Sequence, residues 1–422
     1  MVGKGLKKFK LRYGKGDLEL AVPEENIMAV LTPRELAGVA DEEAEVRRAL
    51  ANPIGSPALR ALAQGKENVV ILVSDLTRPA PSYKMLPSLL DELAAAGVTD
   101  DQITIVFGLG YHRKHTEQEQ RQLVGDRVFE RVKCLDHDIN QCVYVGETSS
   151  GTPVEVFQPV LAADLIIGTA NLEFHYRAGY SGGDKSLMPG VCSKRTIQAN
   201  HTMMIKPGTM PGKADGNPMR EDIEEVGRMV GVSFILNVVL NSNKEIVKAV
   251  AGDPVQAHRE GCKYIDQMYK RPLAAKADIV IASTGGYPKD INLYQAQKGL
   301  EHASYAVKEG GVVILLAECP EVLGEETFAD WMARAQSPDD PIRWAQEEFV
   351  LGAHKAAMIC LALKRAQVYL VSSIEPALVQ DIFFQPFSSP EAALAAALEK
   401  EGHGAKIVVI PFANSTLPVV EG

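Results

Sequence analysis

The sequence predicts an α/β protein of two domains, each a mainly parallel sheet flanked by helices. Three observations predict it. The chain has 422 residues, more than one hydrophobic core usually supports. Short apolar runs rich in Val and Ile alternate with segments of helical period, the pattern of parallel, doubly wound sheets. The runs are apolar almost throughout, as expected of strands covered on both faces. A composition of 46% hydrophobic and 23% charged residues provides enough apolar surface for large cores and excludes a disordered chain.

The strands expected in the first part of the chain are residues 69–73 (VVILV), 103–107, 165–167 and 234–240; in the second part they are 279–282, 312–317, 368–371 and 407–410. Helical periodicity covers 83–96, with Gly97 placed to end the helix, and 254–268. Around 269–276 (YKRPLAAK) the helical pattern stops at Pro272 and a new strand opens at Ile279. This divides the chain into an N-terminal domain, 1–270, and a Rossmann-like C-terminal domain, 275–422. The stretch richest in Gly and Pro, 206–218, reads as a surface or lid loop.

With 44 Lys plus Arg against 54 Asp plus Glu, the net charge is −10, so no basic footprint exists for nucleic acid or an anionic membrane. The six cysteines are scattered without a CxxC pair and read as the reduced thiols of a cytoplasmic protein. No apolar run reaches the length of a membrane span or a secretory signal.

Ligands of open parallel sheets sit beyond the C-terminal ends of strands, so the residues following each run are informative. VVILVS leads into Asp75, Thr77 and Arg78; ITIVFGLG into Tyr111, His112 and Arg113; LIIGTANLEF into His175 and AGYSGGDK; IVIAST into GGYPKDINLYQAQK. Three lie in the first domain and one opens the second, which points to an active site in the cleft between them. Taken singly, each has a bland alternative: an Asp-Arg turn with a surface ion pair, two structural histidines, a tight Gly turn at Ser181, Gly182 and Gly183. Their coincidence at strand ends favours function. Lys185 follows the Gly loop, where a lysine neutralises phosphate or forms a covalent link to a cofactor. His201 lies on an expected helix, without the spacing of a zinc motif. Tyr294, Gln295 and Lys298 share one face at the start of another helix, whose N-terminal dipole favours anions. An ordinary amphipathic helix with a solvated lysine fits that pattern equally well.

Together, DLTRP, GYHR, HYRAGYSGGDKSLMPG, ANH and TGGYPKDINLYQAQKG, in this order, closely resemble the nickel-dependent lactate racemase family, from about residue 52 to about residue 311. The resemblance implies a racemase interconverting the D and L forms of a 2-hydroxy acid by hydride transfer to and from a nickel pincer nucleotide. It implies that Lys185 is joined to one arm of that nucleotide and that His201 is the protein ligand of Ni(II), the remaining donors being sulfur and carbon of the cofactor. It places His112 and His175 as acid/base groups, Arg78, Gln295 and Lys298 at the substrate carboxylate and hydroxyl, and Asp75 and Tyr294 as supporting groups. The resemblance also implies that Ser181, Gly182 and Gly183 belong to the cofactor loop. Cofactor maturation proteins are implied partners, and a recombinant chain can lack the cofactor. Arg78, Arg113, Lys185 and Lys298 would make a locally cationic site in an acidic protein.

The sequence departs from the lactate pattern at Arg177, where an aromatic residue is expected, at Asp184, and in ECPEVLGEETF after the 312–317 run. Substrate identity therefore stays open between lactate and a relative such as malate, whose second carboxylate Arg177 would pair; an Arg177 side chain that points to solvent is the alternative. Two other classes remain: an NAD-dependent 2-hydroxyacid dehydrogenase or epimerase, which lacks a GxGxxG after the first strand, and a non-catalytic nickel- or nucleotide-binding protein.

Overall fold

The computed structural model describes residues 5–350 and 352–421. The chain folds as two compact units: Glu35–Met268, and the N-terminal segment as far as Arg34 joined with Tyr269–Gly422.

The continuous unit carries a six-stranded sheet in the order Ile246–Gly252, Val232–Leu240, Leu165–Leu172, Val69–Ser74, Ile103–Gly108, Lys133–Asp136. All neighbours are parallel except Ile246–Gly252, which runs antiparallel to Val232–Leu240. Leu165–Leu172 is buried along its whole length, so both of its faces need apolar cover. On one side Ile71 and Val73 pack with Leu86, Leu89 and Leu93 of the Ser82–Ala95 helix. Starting from Val69–Ser74, the strands step outward to Lys133–Asp136; Leu165–Leu172 then returns to the other side of Val69–Ser74 and growth continues that way. The winding reverses between these two strands, and the crevice at their C-terminal ends is where open α/β sheets take ligands. Asp75 and His175 follow those two ends.

The second unit has its own six-stranded sheet, parallel throughout, in the order Gln385–Phe387, Gln367–Val371, Val307–Leu316, Ala277–Ser283, Ile407–Ile410, Ile27–Val30. Residues 5–34, expected in the N-terminal domain, belong here. Ile27–Val30 pairs with Ile407–Ile410, and the hairpin of Leu6–Tyr13 and Gly16–Pro23 buries Phe9, Leu11, Leu20 and Val22 against Ile279, Ile314 and Val409. Alternate residues of the hairpin are apolar, and a two-stranded ribbon is not stable without such a surface to cover. The segment read as a domain boundary is itself a strand, Lys270–Leu273, paired with Leu417–Val420. Winding reverses here between Ala277–Ser283 and Ile407–Ile410, and the first of these leads into the Leu293–Ala306 helix. Asn292 caps that helix, its Oδ1 accepting from the Gln295 N–H at 3.0 Å. Among the described residues no helix is long and apolar enough to cross a membrane.

Candidate active site

The strand Val69–Ser74, apolar and buried through Val73, delivers Asp75 as a buried carboxyl, 3% exposed. Its Oδ1 accepts from the Thr77 hydroxyl at 2.7 Å and the Thr77 N–H at 3.2 Å, and its Oδ2 is in hydrogen-bond contact with His112 Nδ1. Burial alone would raise this carboxyl; the bonds from His112 and Thr77, with the nearby Arg78 charge, outweigh it and hold Asp75 below the usual carboxylate range. An ionised Asp75 accepts from Nδ1–H, so His112 carries its proton on Nδ1 and keeps a lone pair on Nε2. The His112 side chain is 44% exposed. The turn after Ile103–Gly108 places the ring: the His112 N–H bonds Leu109 O at 2.8 Å. His115 braces the neighbouring turn, its Nε2 accepting from the Leu76 N–H at 3.3 Å while Nδ1 pairs with Asp136 at 2.7 Å.

His175 is held in the opposite sense. It ends a two-residue strand, Phe174–His175, that pairs with Gly179–Tyr180, and the tight return aims two N–H groups at its Nδ1, from Ala178 at 3.0 Å and Arg177 at 3.3 Å. The neutral ring therefore carries its proton on Nε2 and is a donor there. Tyr176 stacks on it at 4.7 Å. Burial, then the charges of Lys185 and Arg78, with His201 and Arg220, keep His175 well below the ordinary imidazole range. Burial, then Arg220 and Arg78, likewise hold the Lys185 amine well below that of a solvated lysine. Arg78, His175, Lys185 and His201, separate in sequence, are thus within electrostatic reach of one another. His201 is the last residue of the Lys194–His201 helix and is half-buried.

In the Ser181-Gly182-Gly183 turn two of the backbone N–H groups are bonded within the protein. Ser181 Oγ donates to Asn171 O at 2.8 Å and accepts from the Glu173 N–H at 2.8 Å; the Ser181 N–H bonds Glu173 O and the Gly183 N–H bonds Asn237 Oδ1. These groups shape the loop that presents Lys185. Arg177, read as a possible partner of a substrate carboxylate or a solvated side chain, is instead 5% exposed and donates to Thr209 O at 3.0 Å. With the Tyr180 hydroxyl on Gly212 O and Asn217 Nδ2 on Arg177 O, it ties the 206–218 loop to residues 177–180. Arg113 is spent on a two-pronged pair with Glu119 at 2.6 and 2.8 Å and adds no charge to the site.

In the other unit, Tyr294, Gln295 and Lys298 stand on the first turns of Leu293–Ala306. Gln295 is exposed and Lys298 half-buried. The Lys355 ammonium lies 3.8 Å from the Tyr294 ring centre and donates to Tyr294 O at 2.7 Å. A separate cavity of about 330 Å³, lined by Arg48, Lys248 and Tyr264 among others, is self-neutralised, since Glu45 pairs with both cations at 2.7 and 3.2 Å.

Sequence reasoning missed the residues beneath the Lys185 loop: Arg220, Asn237 and His258, all fully buried. One signal was available. Residues 220, 223 and 227 fall on one face of the Pro218–Val230 helix, and that face is apolar at Ile223 and bare at Gly227; an arginine there has to be buried for a reason.

The family model described as the lactate racemase N-terminal domain matches residues 13–212, and that of the lactate racemase C-terminal domain matches residues 273–417. A lactate racemase of Thermoanaerobacterium thermosaccharolyticum is 36% identical over 422 residues, covering 97% of this chain and 98% of that one. The chain belongs to the lactate racemase family. Racemases are isomerases, so the chain is placed among those enzymes. The lactate racemase of Lactiplantibacillus plantarum is 33% identical over 413 residues, 95% of this chain and 97% of its own length. The solved lactate racemase apoprotein of T. thermosaccharolyticum superposes with a TM-score of 0.87 at 35% identity, over 99% of this chain and 100% of that one. A Thermotoga maritima protein shares the fold at 16% identity, with a TM-score of 0.61 over 92% of this chain.

Proposed function

We propose that this lactate racemase family member interconverts the D and L enantiomers of lactate, or a close 2-hydroxy acid, with a nickel pincer nucleotide held by Lys185 and His201. The observation that carries the reading is the pair of histidines beside the winding reversal: His112, locked by Asp75 as a base at Nε2, and His175, locked by two backbone N–H groups as a donor at Nε2.

The residues fit such a cofactor. Among the described residues no three His, Cys, Asp or Glu side chains are gathered to hold a metal, which suits a metal that arrives with most of its own donors and takes one imidazole from the chain. Lys185, whose amine burial, Arg220 and Arg78 push well below that of a solvated lysine, suits a covalent anchor. When bound, the nucleotide supplies the hydride acceptor and donor that no side chain provides.

The chain's own residues do the rest. Arg78 would grip the carboxylate of the substrate, and Gln295 and Lys298, with Tyr294 in support, are the substrate-binding groups proposed for the other unit. His112 takes the hydroxyl proton at Nε2, and the imidazolium so formed is stabilised by the Asp75 carboxylate. His175 offers its Nε2–H to the oxygen on which negative charge grows. Arg177 is buried and donates to Thr209 O, which favours monocarboxylic substrates over those with a second carboxylate for it to pair. Maturation proteins of the cytoplasm would load the nucleotide.

The test is intact mass and nickel content of the chain produced with maturation proteins, followed by chiral analysis with lactate, malate, 2-hydroxyglutarate and phenyllactate. We expect an adduct that is lost in Lys185→Ala, about one nickel per chain lost in His201→Ala, and lactate turned over faster than malate. A chain carrying adduct and nickel but racemising none of the four acids would overturn the proposal.

A further inference from the structure

Buried charge beneath the Lys185 loop is arranged in a way that packing does not require. Arg220 has no exposed surface, and its guanidinium is spent on backbone carbonyls: Nε donates to Ala178 O at 3.1 Å, Nη1 to Gly182 O at 3.2 Å, and Nη2 to Tyr180 O. His258 Nε2 bonds Ser181 O at 2.9 Å, and Asn237 Oδ1 accepts from the Gly183 N–H at 2.8 Å. Four carbonyls of residues 178–182 therefore turn inward onto one cation and one imidazole. The arch closes through left-handed backbone at Gly182 (φ 70°) and Gly183 (φ 61°), and Lys185 follows on the next turn.

Burying a guanidinium costs several kcal/mol unless its donors are satisfied, and apolar residues would stabilise the fold as well. What a guanidinium adds is a planar fork that fixes several acceptors at once. We propose that Arg220 is a positioning residue: it locks the 178–183 arch and thereby sets the direction in which Lys185 presents its amine to the cofactor. The proposal rests on Lys185 being the cofactor anchor. The same cation faces Lys185 and, with burial and Arg78, disfavours its ammonium form. Asp184, the residue before Lys185, lies close against Gly227 of the Arg220 helix, where a Cβ would lie 2.1 Å from its Oδ1.

The experiment uses the full-length chain without cofactor. A small acetylating reagent is added near neutral pH, and peptide mass spectrometry gives the rate at Lys185 relative to exposed Lys10. In the parent chain Lys185 should react at least as fast as Lys10. In Arg220→Lys, which keeps a charge but loses the fork that fixes the arch, the ratio should fall severalfold as the amine loses its set direction. Hydrogen exchange should rise in residues 178–185 and stay unchanged in the sheet strands. An unchanged ratio with unchanged exchange overturns the proposal. If Arg220→Lys does not fold, His258→Gln, which removes one tie to the arch, must give the same local loosening; no loosening overturns it equally. Because no cofactor is used, this failure is separate from failure of the anchor assignment, which would show as an adduct surviving in Lys185→Ala.

Discussion

Replacing Asp75 by Asn exchanges one oxygen for an NH2 group and, with it, the nitrogen of His112 that carries the proton. Thr77 directs both its hydroxyl and its N–H at Oδ1, at 2.7 and 3.2 Å, and only an oxygen accepts them. The Asn amide keeps its oxygen there and turns NH2 toward His112 Nδ1. Nδ1 must then accept, the ring proton moves to Nε2, and the base is gone. Recovering it means flipping the amide and giving up both Thr77 bonds, about 1 kcal/mol each. The imidazolium formed on proton uptake also loses a charge-assisted bond, a further 1.5–3 kcal/mol or so. The expected loss of about 4 kcal/mol corresponds to roughly 10³-fold in turnover. Chiral chromatography of a nickel-loaded preparation measures it. Enantiomers are equal in energy, so kcat/KM must fall by one factor in both directions, with nickel and adduct retained. A variant with full loading and less than about fivefold loss would refute the tautomer argument.

Three further outcomes follow from the geometry. Burial, with Glu224 nearby, pushes the Asp184 carboxyl up to about 8. The unfolded chain ionises this group near pH 4 while the folded one holds its proton, so its contribution to stability is complete below that pH and drains away as pH rises toward 8, at most ~1.4 kcal/mol per unit. Asp184→Asn should thus gain on the parent in urea unfolding at pH 8 relative to pH 5, and an equal gap at both would count against it. In Gly182→Ala the new Cβ falls 2.4 Å from Leu172 Cδ2 at φ 70°, whereas Gly65→Ala, at φ 72°, meets nothing within 4 Å; thermal melts should show the first variant well below the second, which loses only about 1 kcal/mol of backbone strain. Arg177→Met should raise protease cleavage within 206–218 while leaving the preference of lactate over malate intact; a shift toward malate would return Arg177 to the substrate.

The strands and the polar residues following them were legible because burial on both faces writes a continuous apolar run, and VVILVS, ITIVFG and LIIGTANL end where the side chains of interest begin. Residues whose meaning depends on a distant partner were not legible. Arg113 reads as a site cation from sequence, but Glu119 pairs with it, and Arg177 reads as facing substrate or solvent, but its side chain is buried and donates to Thr209 O. The Gly- and Pro-rich 206–218 stretch has the composition of a lid, but its bonds to residues 177–180 are tertiary. Ile246–Gly252 was overlooked because, as an antiparallel edge, it lacks a helix crossover to announce it. Ile27–Val30 is short, and its partner lies at the far end of the chain.

That last pairing determines when each part of the enzyme can fold. Everything needed by the Glu35–Met268 unit has left the ribosome while the final third of the chain is still being made, so its sheet can close during synthesis. The first strands of the chain, although made earliest, must wait: Ile27–Val30 has no neighbour until Ile407–Ile410 emerges. The oldest segment is thus among the last to settle, and until it does an apolar edge and the apolar face of its hairpin stay open to solvent and to other chains. Moving this segment to the C-terminus by circular permutation would bring the late partners together in time as well as in space.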